Sequence, residues 1–527
     1  MEKITTDIST FENLRKDGYT YVDKTDLLWR LVANTEGRQF FISRPRRFGK
    51  SLMLSTLAAI FEGKRELFKG LKIDSLDYDW KRYPVVHLDM SDVSGETPAE
   101  LKDAMFDMVE GLVKSFGLSG VSRTLNPGGY LNNFLKALAA RDGSYVVLVD
   151  EYDVPLQGFF GQRAALVRVR KLVHDFYVKL KRNEKNIRFL MLTGVTKLTK
   201  VSVFSGLNQL TDLTMEKTDY ATLLGYTPRE ISRCFPRRLD ELAKKLKTDR
   251  KGALKRLLDW YDSYRFSPDT DARVCNPISI GKALAAQSIQ NFWAKTASAS
   301  LVMERIAAAG KTPDDFEGCT ATVDELDVCD VLSLPVKSLM YQSGYLTIKE
   351  VIGESNGIDE QKLILGIPNQ EVRTAIRSGW FDSIVKVPAD EFDALVGVAK
   401  RQVAAGDADG LINETLYRLY AKIPPEWRIR SEADVKRHFM LFMEMVGAKV
   451  ASEAGSARGY ADAIIETKKF VWVFEFKFNK SANAAVRQIR EKGYADKYKG
   501  DRRPVTLVGV NFRAAKRNID EPVFAKL

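Results

Sequence analysis

The chain has 527 residues, of which 45% are hydrophobic and 28% are charged, and its formal net charge is +12. Such a length needs roughly three or four domains, and the composition excludes a disordered, collagenous or disulfide-rich chain. No apolar run approaches the roughly 20 residues of a membrane span, and no N-terminal signal segment is evident. The four scattered cysteines and three distant histidines argue against structural zinc. We therefore expect a cytoplasmic protein without a membrane partner.

Residues 1–230 alternate short apolar runs with helical patterns. Runs of about four to six residues that are apolar on both faces are typical of strands in a buried parallel sheet with helical crossovers. We therefore predict an α/β domain with a parallel sheet in this region. Its strands are predicted in RQFFIS, YPVVHLDMS, GSYVVLVDE and IRFLMLTGV.

The segment RPRRFGKS, residues 44–51, follows the first predicted strand and precedes the helical pattern LMLSTLAAIF. In a phosphate-binding loop the lysine reaches the β- and γ-phosphates, the serine hydroxyl holds Mg²⁺, and backbone N–H groups surround the phosphates. Where such loops usually open with glycine, this chain has Arg44, so Arg44 and Pro45 must shape the turn. The residues assigned here to nucleotide binding are Arg46, Arg47, Phe48, Gly49, Lys50 and Ser51, with Ser51 also a metal ligand.

The third and fourth predicted strands end in residues suited to the same nucleotide site. Asp150, at the end of VVLVD, would bind Mg²⁺, and Glu151 would orient or deprotonate the attacking water. Thr193, at the end of the fourth strand, would sense the γ-phosphate. The alternative for the acidic pair is a solvated turn. Together with the loop, however, these residues predict a site for ATP and Mg²⁺.

The rest of the chain divides by pattern into four further domains. Residues 231–324 are helical and form a predicted lid. Residues 325–390 give a helix, a hairpin and a helix, an order typical of a winged-helix-like module. Residues 391–430 form a helical linker. Residues 431–527 begin with a helix and continue with two strands, a helix and a strand, which predicts an α/β domain.

This last domain contains Asp462, Glu475 and Lys477 in the pattern D-x12-E-x-K. Strand alternation places Glu475 and Lys477 on one face, and a hairpin would bring Asp462 beside Glu475. Neighbouring carboxylates suit Mg²⁺, or Mn²⁺ in its place, and Lys477 would position the attacking water, as in phosphodiester hydrolysis. Glu432, on the preceding helix, is a third candidate ligand, although a helix-start acid favoured by the dipole is the alternative. The alternative for the strand pair is an exposed ion pair.

The same domain is basic. From Glu426 onward the chain has 21 Lys and Arg against 13 Asp and Glu, a net charge of +8. Such an excess favours a polyanionic partner, nucleic acid first and DNA in particular, and a solvated basic surface is the alternative.

Several segments together resemble the bacterial and archaeal AAA-ATPase-like proteins that carry a C-terminal PD-(D/E)XK nuclease domain. The segments are YVDKTDLLWRL, SRPRRFGKSLMLSTLAAIFEG, VVLVDEYDVPL, LTGVTKLTKVSVFSGLNQLTDLT and GYADAIIETKKFVWVFEFKF. The resemblance spans nearly the whole chain, and RPRRFGK is that family's own form of the loop. It implies a P-loop AAA-type parallel-sheet ATPase domain, a helical lid, a winged-helix-like module and a C-terminal restriction-endonuclease-like α/β domain.

The resemblance also assigns individual residues. It places the ATPase motifs at Lys50, Ser51, Asp150 and Glu151. The nuclease residues that it implies are Asp462, Glu475 and Lys477, with Glu432 as the upstream helix acid and Gln488 as the helix glutamine.

We therefore expect an ATPase coupled to a metal-dependent endonuclease that cleaves DNA, in defence or in mobile-element biology. Two other functions stay open: a nucleotide-switched signalling ATPase whose C-terminal domain binds without cutting, and a toxin acting on host nucleic acid. A homo-oligomer is compatible with each of these three functions. The candidates for an arginine finger are Arg44, Arg46, Arg47 and Arg265.

Overall fold

The computed structural model describes residues 2–33, 37–198, 210–293, 300–309, 311–327, 333, 335–353, 361–385, 389–423, 429–448, 450–451, 455–456 and 459–527. The chain forms two compact units. The N-terminal unit comprises Met1–Ala297 and Asp314–Arg373, and the C-terminal unit comprises Ser298–Pro313 and Thr374–Leu527. The finer division into five domains stays a prediction.

Helices and strands alternate in the first part of the chain, and longer runs of helices and of strands follow. The helices are α1 Phe11–Lys16, α2 Thr25–Val32, α3 Lys50–Phe61, α4 Pro98–Ser115, α5 Pro127–Asp142, α6 Val154–Gln157, α7 Arg163–Arg182, α8 Pro228–Cys234, α9 Pro236–Lys245, α10 Arg250–Tyr261, α11 Pro277–Ala286, α12 Ser300–Ala308, α13 Val323–Asp327, α14 Val336–Gln342, α15 Gln370–Val385, α16 Ala389–Ala405, α17 Ala408–Gly410, α18 Tyr417–Ala421, α19 Glu432–Val446 and α20 Ala482–Glu491. The strands are β1 Gln39–Ser43, β2 Val85–Asp89, β3 Tyr145–Asp150, β4 Ile187–Gly194, β5 Thr211–Asp212, β6 Thr320–Thr322, β7 Thr347–Ile352, β8 Lys362–Gly366, β9 Val450–Ala451, β10 Gly455–Ser456, β11 Gly459–Tyr460, β12 Ala463–Glu466, β13 Val471–Phe478, β14 Val505–Arg513, β15 Asn518–Ile519 and β16 Val523–Lys526. Helices α8 to α12 and α15 to α19 are the runs of helices, and β9 to β13 are the run of strands. A π-helical turn, Leu411–Leu416, joins α17 to α18.

The N-terminal unit is built on a five-stranded sheet of order β2-β3-β4-β1-β5, in which every pair is parallel. Strands β1 and β3 are buried at every position, as the two-sided apolar pattern predicts. The predicted α/β class and parallel sheet are thus confirmed. Because β3, β4 and β1 are neighbours, their carboxyl ends meet at one edge, where open α/β sheets bind ligands.

Helices α4, α5 and α7 pack together and cover part of the apolar core. Local sequence explains where two of them begin. Thr97 accepts a hydrogen bond from the backbone N–H of Glu100 at the start of α4, and Asn126 accepts one from Gly129 at the start of α5. Each cap is followed by a proline, whose missing N–H costs nothing at the first helical position.

A second cluster of buried apolar residues lies around α8 to α11, within the region that was predicted to be helical. The run PREISRCFPRRLDELAKKLK, which has a helical pattern, forms α8 and α9 with a break at Phe235. Proline disfavours helical geometry in the residue before it, and Phe235 has φ −127° and ψ 42°.

Strands β6, β8 and β7 form a three-stranded antiparallel sheet in that order, with β7 and β8 paired as the predicted hairpin. Residues 354–360 of this hairpin lie outside the described residues. The helix predicted in DVLSLPVKSLMYQSGYL begins only at Val336, after Pro335, and residues 328–332 and 334 also lie outside the description.

The C-terminal unit contains a sheet of order β15-β14-β13-β12-β9, with β16 paired to β14. Its central strand β13 is buried because α19 and α20 both pack on it. The segment GYADAIIET, predicted as one strand, forms β11 and β12 separated by Ala461 and Asp462. Asp462 leaves the strand pairing because its carboxylate accepts the backbone N–H of Phe476. None of the helices in the described ranges combines the length and apolar character that a bilayer span requires.

Candidate nucleotide and nuclease sites

The loop after β1 has the shape of a phosphate-binding loop. Gly49 adopts φ +93°, a left-handed conformation that favours glycine, and caps the start of α3. The ammonium of Lys50 is buried and donates to the backbone oxygens of Arg44 and Pro45, at 3.1 and 3.3 Å. Ser51 follows, half-buried, in the first turn of α3. The lysine thus closes over its own loop, in the place where a phosphate would lie.

Arg44, which replaces the usual first glycine, is turned into the protein. Its guanidinium donates to the backbone oxygens of Ser43 and Thr214, both at 2.9 Å, and lies 4.2 Å from the ring centre of Phe266. Burial lowers the pKa of Arg44 to about 10. The side chain therefore anchors the loop between β1 and the segment after β5. These contacts give Arg44 a structural role, and which of the four candidate arginines serves as a finger stays open.

The other arginine-finger candidates differ from one another. Arg265 is buried and donates to the backbone oxygens of Ser267 and Pro268, at 3.1 and 2.7 Å, so it too is structural. Arg46 donates to Gln157 at 3.2 Å and acts electrostatically on Lys50 and Glu151. It is the candidate that faces the acidic side of the site.

Arg47 and Phe48 complete the loop. Arg47 has φ +71°, which is uncommon for a residue with a side chain. Burial and the charge of Arg46 lower the pKa of Arg47, and the charge of Glu371 opposes this shift. Phe48 packs edge-to-face against Tyr264 at 4.9 Å between ring centres. The ring of Phe48 thus holds the loop to the neighbouring layer.

The predicted metal and sensor residues meet at the carboxyl edge of the sheet. The Thr193 hydroxyl donates to Oδ1 of Asp150 at 2.5 Å, and the backbone N–H of Glu151 donates to the same oxygen at 3.0 Å. Glu151 has φ +48°, and burial raises its pKa, which the charge of Lys50 opposes. The structure therefore brings Asp150, Thr193, Glu151 and Lys50 together.

Asp153 is a functional candidate that the sequence analysis missed. It is fully buried and accepts hydrogen bonds from the N–H groups of Val195 and Thr196 and from the Thr196 hydroxyl, at 3.3, 2.9 and 2.5 Å. It therefore ties the turn after β3 to the end of β4. The repeated acid in DEYD was the available signal.

A pocket beside the loop was also missed. It encloses about 60 Å³ and opens onto Gly49 at the start of α3. Its lining is mostly apolar. The lining residues are Tyr21, Val22, Lys24, Leu28, Phe48, Gly49, Leu52, Met53, Leu223, Leu224, Gly225, Tyr226 and Pro277. Lys24, one of the lining residues, donates to Glu230 and to the backbone oxygen of Thr222, at 2.7 and 2.8 Å.

The second site lies at one end of the β12–β13 pair. Antiparallel pairing of Ala463 with Phe474 brings Asp462 level with Glu475, as the hairpin prediction required. Oδ2 of Asp462 accepts the N–H of Phe476 at 2.9 Å. Glu475 is 3% exposed, and its Oε2 is buried without a hydrogen-bond partner among the described residues. Burial, with the charge of Asp462, raises the pKa of Glu475 to about 7.

Lys477 sits between two carboxylates. Its ammonium lies 2.9 Å from Oε1 of Glu475 and 3.2 Å from Oε2 of Glu432. Lys480 pairs with the other oxygen of Glu432 at 2.9 Å. Burial would lower the pKa of Lys477, but its hydrogen bonds and the two acidic charges outweigh this and raise it. Glu432 is thus engaged by two lysines, and its role as a metal ligand stays a prediction.

Carboxylate oxygens suit a divalent cation, and the partnerless Oε2 of Glu475 next to Asp462 offers such a position. The residues present therefore fit Mg²⁺ or Mn²⁺. Gln488 donates instead to the Tyr494 hydroxyl at 3.3 Å. Within the described ranges no hydrogen bond joins it to the acidic group.

Two parts of the chain match known families. The family model of a predicted AAA-ATPase matches residues 5–204, and that of the PD-(D/E)XK nuclease superfamily matches residues 430–522. A protein of Azotobacter chroococcum mcd 1, described as an uncharacterized protein in the vnfD 5' region, is 30% identical over 530 residues, covering 98% of each chain.

Two solved structures match the chain at low similarity. The Aeropyrum pernix ORC1 protein in complex with DNA is 12% identical, with a TM-score of 0.24, over 71% of this chain and 94% of that chain. The ORC2 protein of the same organism, in ADPNP-ADP complexes, is 10% identical, with a TM-score of 0.26, over 84% and 86%. The full-length relative and the two family matches settle the assignment: the chain belongs to the family of predicted AAA-ATPases that carry a C-terminal domain of the PD-(D/E)XK nuclease superfamily.

Proposed function

We propose that the C-terminal unit is a Mg²⁺-dependent nuclease that cleaves phosphodiester bonds in DNA. The observation that carries the proposal is the partnerless, buried Oε2 of Glu475, which lies beside Asp462 with Lys477 in the same group. A buried acceptor without a donor costs free energy, and a divalent cation would satisfy it.

The roles of the protein residues follow from their contacts. Asp462 and Glu475 would hold the cation, which supplies an activated water and neutralises phosphate charge when bound. The Lys477 ammonium, held by Glu475 and Glu432, stays charged and would stabilise the negative charge that develops on the phosphate. Glu432 and Lys480 position Lys477.

DNA as the substrate is supported by charge. The segment from Glu426 onward has a net charge of +8, and a basic surface attracts the phosphate backbone. The pairing of an ATPase with a nuclease suits defence against foreign DNA or mobile-element biology, and both activities belong in the cytoplasm with such a substrate.

ATP would bind at the N-terminal unit. Lys50 and the N–H groups around Gly49 would hold the phosphates, Asp150 and Ser51 the Mg²⁺, and Glu151 the attacking water. The pocket beside Gly49 would take the base, since its lining is mostly apolar, as in other small-molecule sites.

Lys197 supports a route by which ATP would control the rest of the N-terminal unit. It follows β4, the strand that carries Thr193, and its ammonium pairs with Asp212 and Asp327. Its backbone N–H donates to Gln342 at 2.9 Å. A movement at the end of β4 would therefore reach α13 and α14.

The test is a cleavage assay on plasmid and single-stranded DNA with Mg²⁺ or Mn²⁺, with and without ATP. Asp462→Asn and Lys477→Ala should each reduce cleavage at least about 1000-fold, while Lys499→Ala, which removes an exposed pair with Asp496, should not. Lys50→Ala should remove the effect of ATP on cleavage. Intact substrate in every condition with ATP turnover retained would instead support a nucleotide-switched binding protein.

A further inference from the structure

The outer face of α7 has a charge that sets it apart from its neighbour. Its twenty residues include seven Lys or Arg and one acid, Asp175. Helix α4 also packs on α5, but it carries four acids and two lysines. The excess on α7 is therefore particular to that surface and not common to the helical layer.

The large buried apolar residues of α7 lie on its inner face, so packing in the core does not account for the charges on the outer face. Leu166, Val169, Val173, Phe176, Tyr177 and Leu180 are buried in the core. On the outer face Arg168, Lys171 and Arg182 are all exposed. At about 100° and 1.5 Å per residue, these three project within about 60° of one another along about 21 Å. We refer to them as the α7 stripe.

The members of the α7 stripe do not pair with acids of their own unit. Among the residues that the structure describes, none of the three forms an ion pair, and Asp175 lies 3.4 Å from Nδ1 of His174 instead. On α10, by contrast, Lys255 pairs with Asp259 at 2.8 Å.

The helix dipole explains only part of this charge. It favours cations in the last turn, where Arg182 lies, but not Arg168 and Lys171 in the first half of the helix. Those two are one turn apart, and like charges at that spacing repel. A partner that brings negative charge would offset this repulsion.

We propose that the α7 stripe binds the phosphate backbone of duplex nucleic acid, as a contact separate from the nuclease site. A duplex presents about one negative charge per 1.7 Å, hence about 12 charges along a straight row of this length. Arginine forks match phosphate oxygens. A membrane surface fits poorly, because the apolar face of α7 is already buried and only Val167 is an exposed large apolar residue there. The proposal does not depend on cleavage.

The test measures binding of a fluorescent 20-base-pair duplex to the full chain by anisotropy, in EDTA and over a range of salt concentrations. The triple variant Arg168→Gln/Lys171→Gln/Arg182→Gln should raise Kd at least tenfold near 0.1 M salt. It should also reduce the slope of log Kd against log salt by about 2.7, since each lost phosphate contact contributes about 0.9. Asp175→Asn should lower Kd about twofold to threefold, a gain that misfolding cannot produce.

The matched control is Lys244→Gln/Lys245→Gln/Lys251→Gln, which removes three exposed charges from α9 and α10 of the same unit. It should change Kd less than twofold. Equal weakening by both triple variants, or no weakening by the α7 variant, would overturn the proposal. Displacement of the duplex by polyglutamate at equal charge concentration would overturn it too, in favour of an acidic protein partner.

Discussion

The two candidate sites both contain Lys, Asp and Glu, but these residues have different partners in the two sites. In the N-terminal unit the buried ammonium of Lys50 donates, among the residues that the structure describes, only to the backbone oxygens of Arg44 and Pro45. In the C-terminal unit the ammonium of Lys477 is paired with two carboxylates. For the carboxylates the difference is the opposite. Asp150 accepts a hydrogen bond from Thr193, whereas Glu475 keeps a buried oxygen without a partner among the described residues.

This contrast shows what each site lacks. Burial lowers the pKa of Lys50, and the charges of three acids oppose this shift without a direct contact. An anion from outside the protein would therefore stabilise the charged ammonium. Lys477 is already neutralised, and the missing charge in its site is a cation beside Glu475. The proposed function would supply both: a phosphate at the first site and a metal ion at the second.

The largest expected effects come from the same substitution made in both sites. Lys50→Met should weaken ATP binding at least 100-fold, roughly 3 kcal/mol, but should change the free energy of unfolding by less than about 1 kcal/mol, since no carboxylate loses its partner. Lys477→Met should destabilise the C-terminal unit by about 3 kcal/mol, because Glu475 loses its cation and Glu432 keeps only Lys480. Isothermal titration with ATP and chemical denaturation measure the two quantities.

Lys244→Met serves as the control for both variants, since this lysine is exposed and distant from either sequence motif. Equal destabilisation by Lys50→Met and Lys477→Met would contradict the distinction between the sites. So would unchanged ATP affinity in Lys50→Met.

Sequence patterns were sufficient for the sheet and for the positions of the motifs. Two-sided apolar runs identified β1, β3 and β4, and strand alternation placed Asp462 level with Glu475. These features depend on local periodicity and on one hairpin register, both of which can be read from neighbouring residues.

Contacts between distant residues were not accessible in this way. Arg44 was expected to shape the loop, but its partners, Thr214, 170 positions away, and Phe266, could not be foreseen. Glu432 was a candidate metal ligand, and its contacts with Lys477 of β13 and with Lys480, which follows that strand, could not be foreseen either. The orientation of such a side chain depends on which cation or carbonyl the tertiary fold brings close, and no local pattern records that.

An intermediate effect is expected from pH at the second site. The pKa of Glu475, ordinarily 4.5, is raised by burial and Asp462 to about 7, so the folded state binds this proton more tightly than the unfolded state. In metal-free buffer the wild type should therefore lose stability as pH rises from about 4.5 to 7. Glu475→Gln should be more stable above pH 7, by roughly 1–3 kcal/mol, and should lose this advantage below about pH 4.5.

Hydrogen exchange of peptides covering β13 reports this difference locally. Glu466→Gln, on the neighbouring strand β12, is the control. Its hydrogen bonds with Arg503 and Tyr498 lower the pKa of Glu466, so this replacement should stabilise at no pH. A pH-independent effect of Glu475→Gln would contradict the burial argument.

The smallest expected effect tests whether Asp150 in the first site depends on its hydrogen bond from Thr193. Thr193→Val keeps the shape of a fully buried side chain but removes the 2.5 Å hydrogen bond to Asp150. One hydrogen bond to a charged group contributes about 1.5 kcal/mol, so ATP turnover should fall about tenfold while the Kd for ATP changes less than threefold. Ser91→Ala is the control, because its hydroxyl makes the equivalent bond to Asp89 on the adjacent strand, at 2.7 Å. If turnover fell equally in both variants, strand-end hydroxyls would share a structural role, and Thr193 would have no special part in sensing the nucleotide.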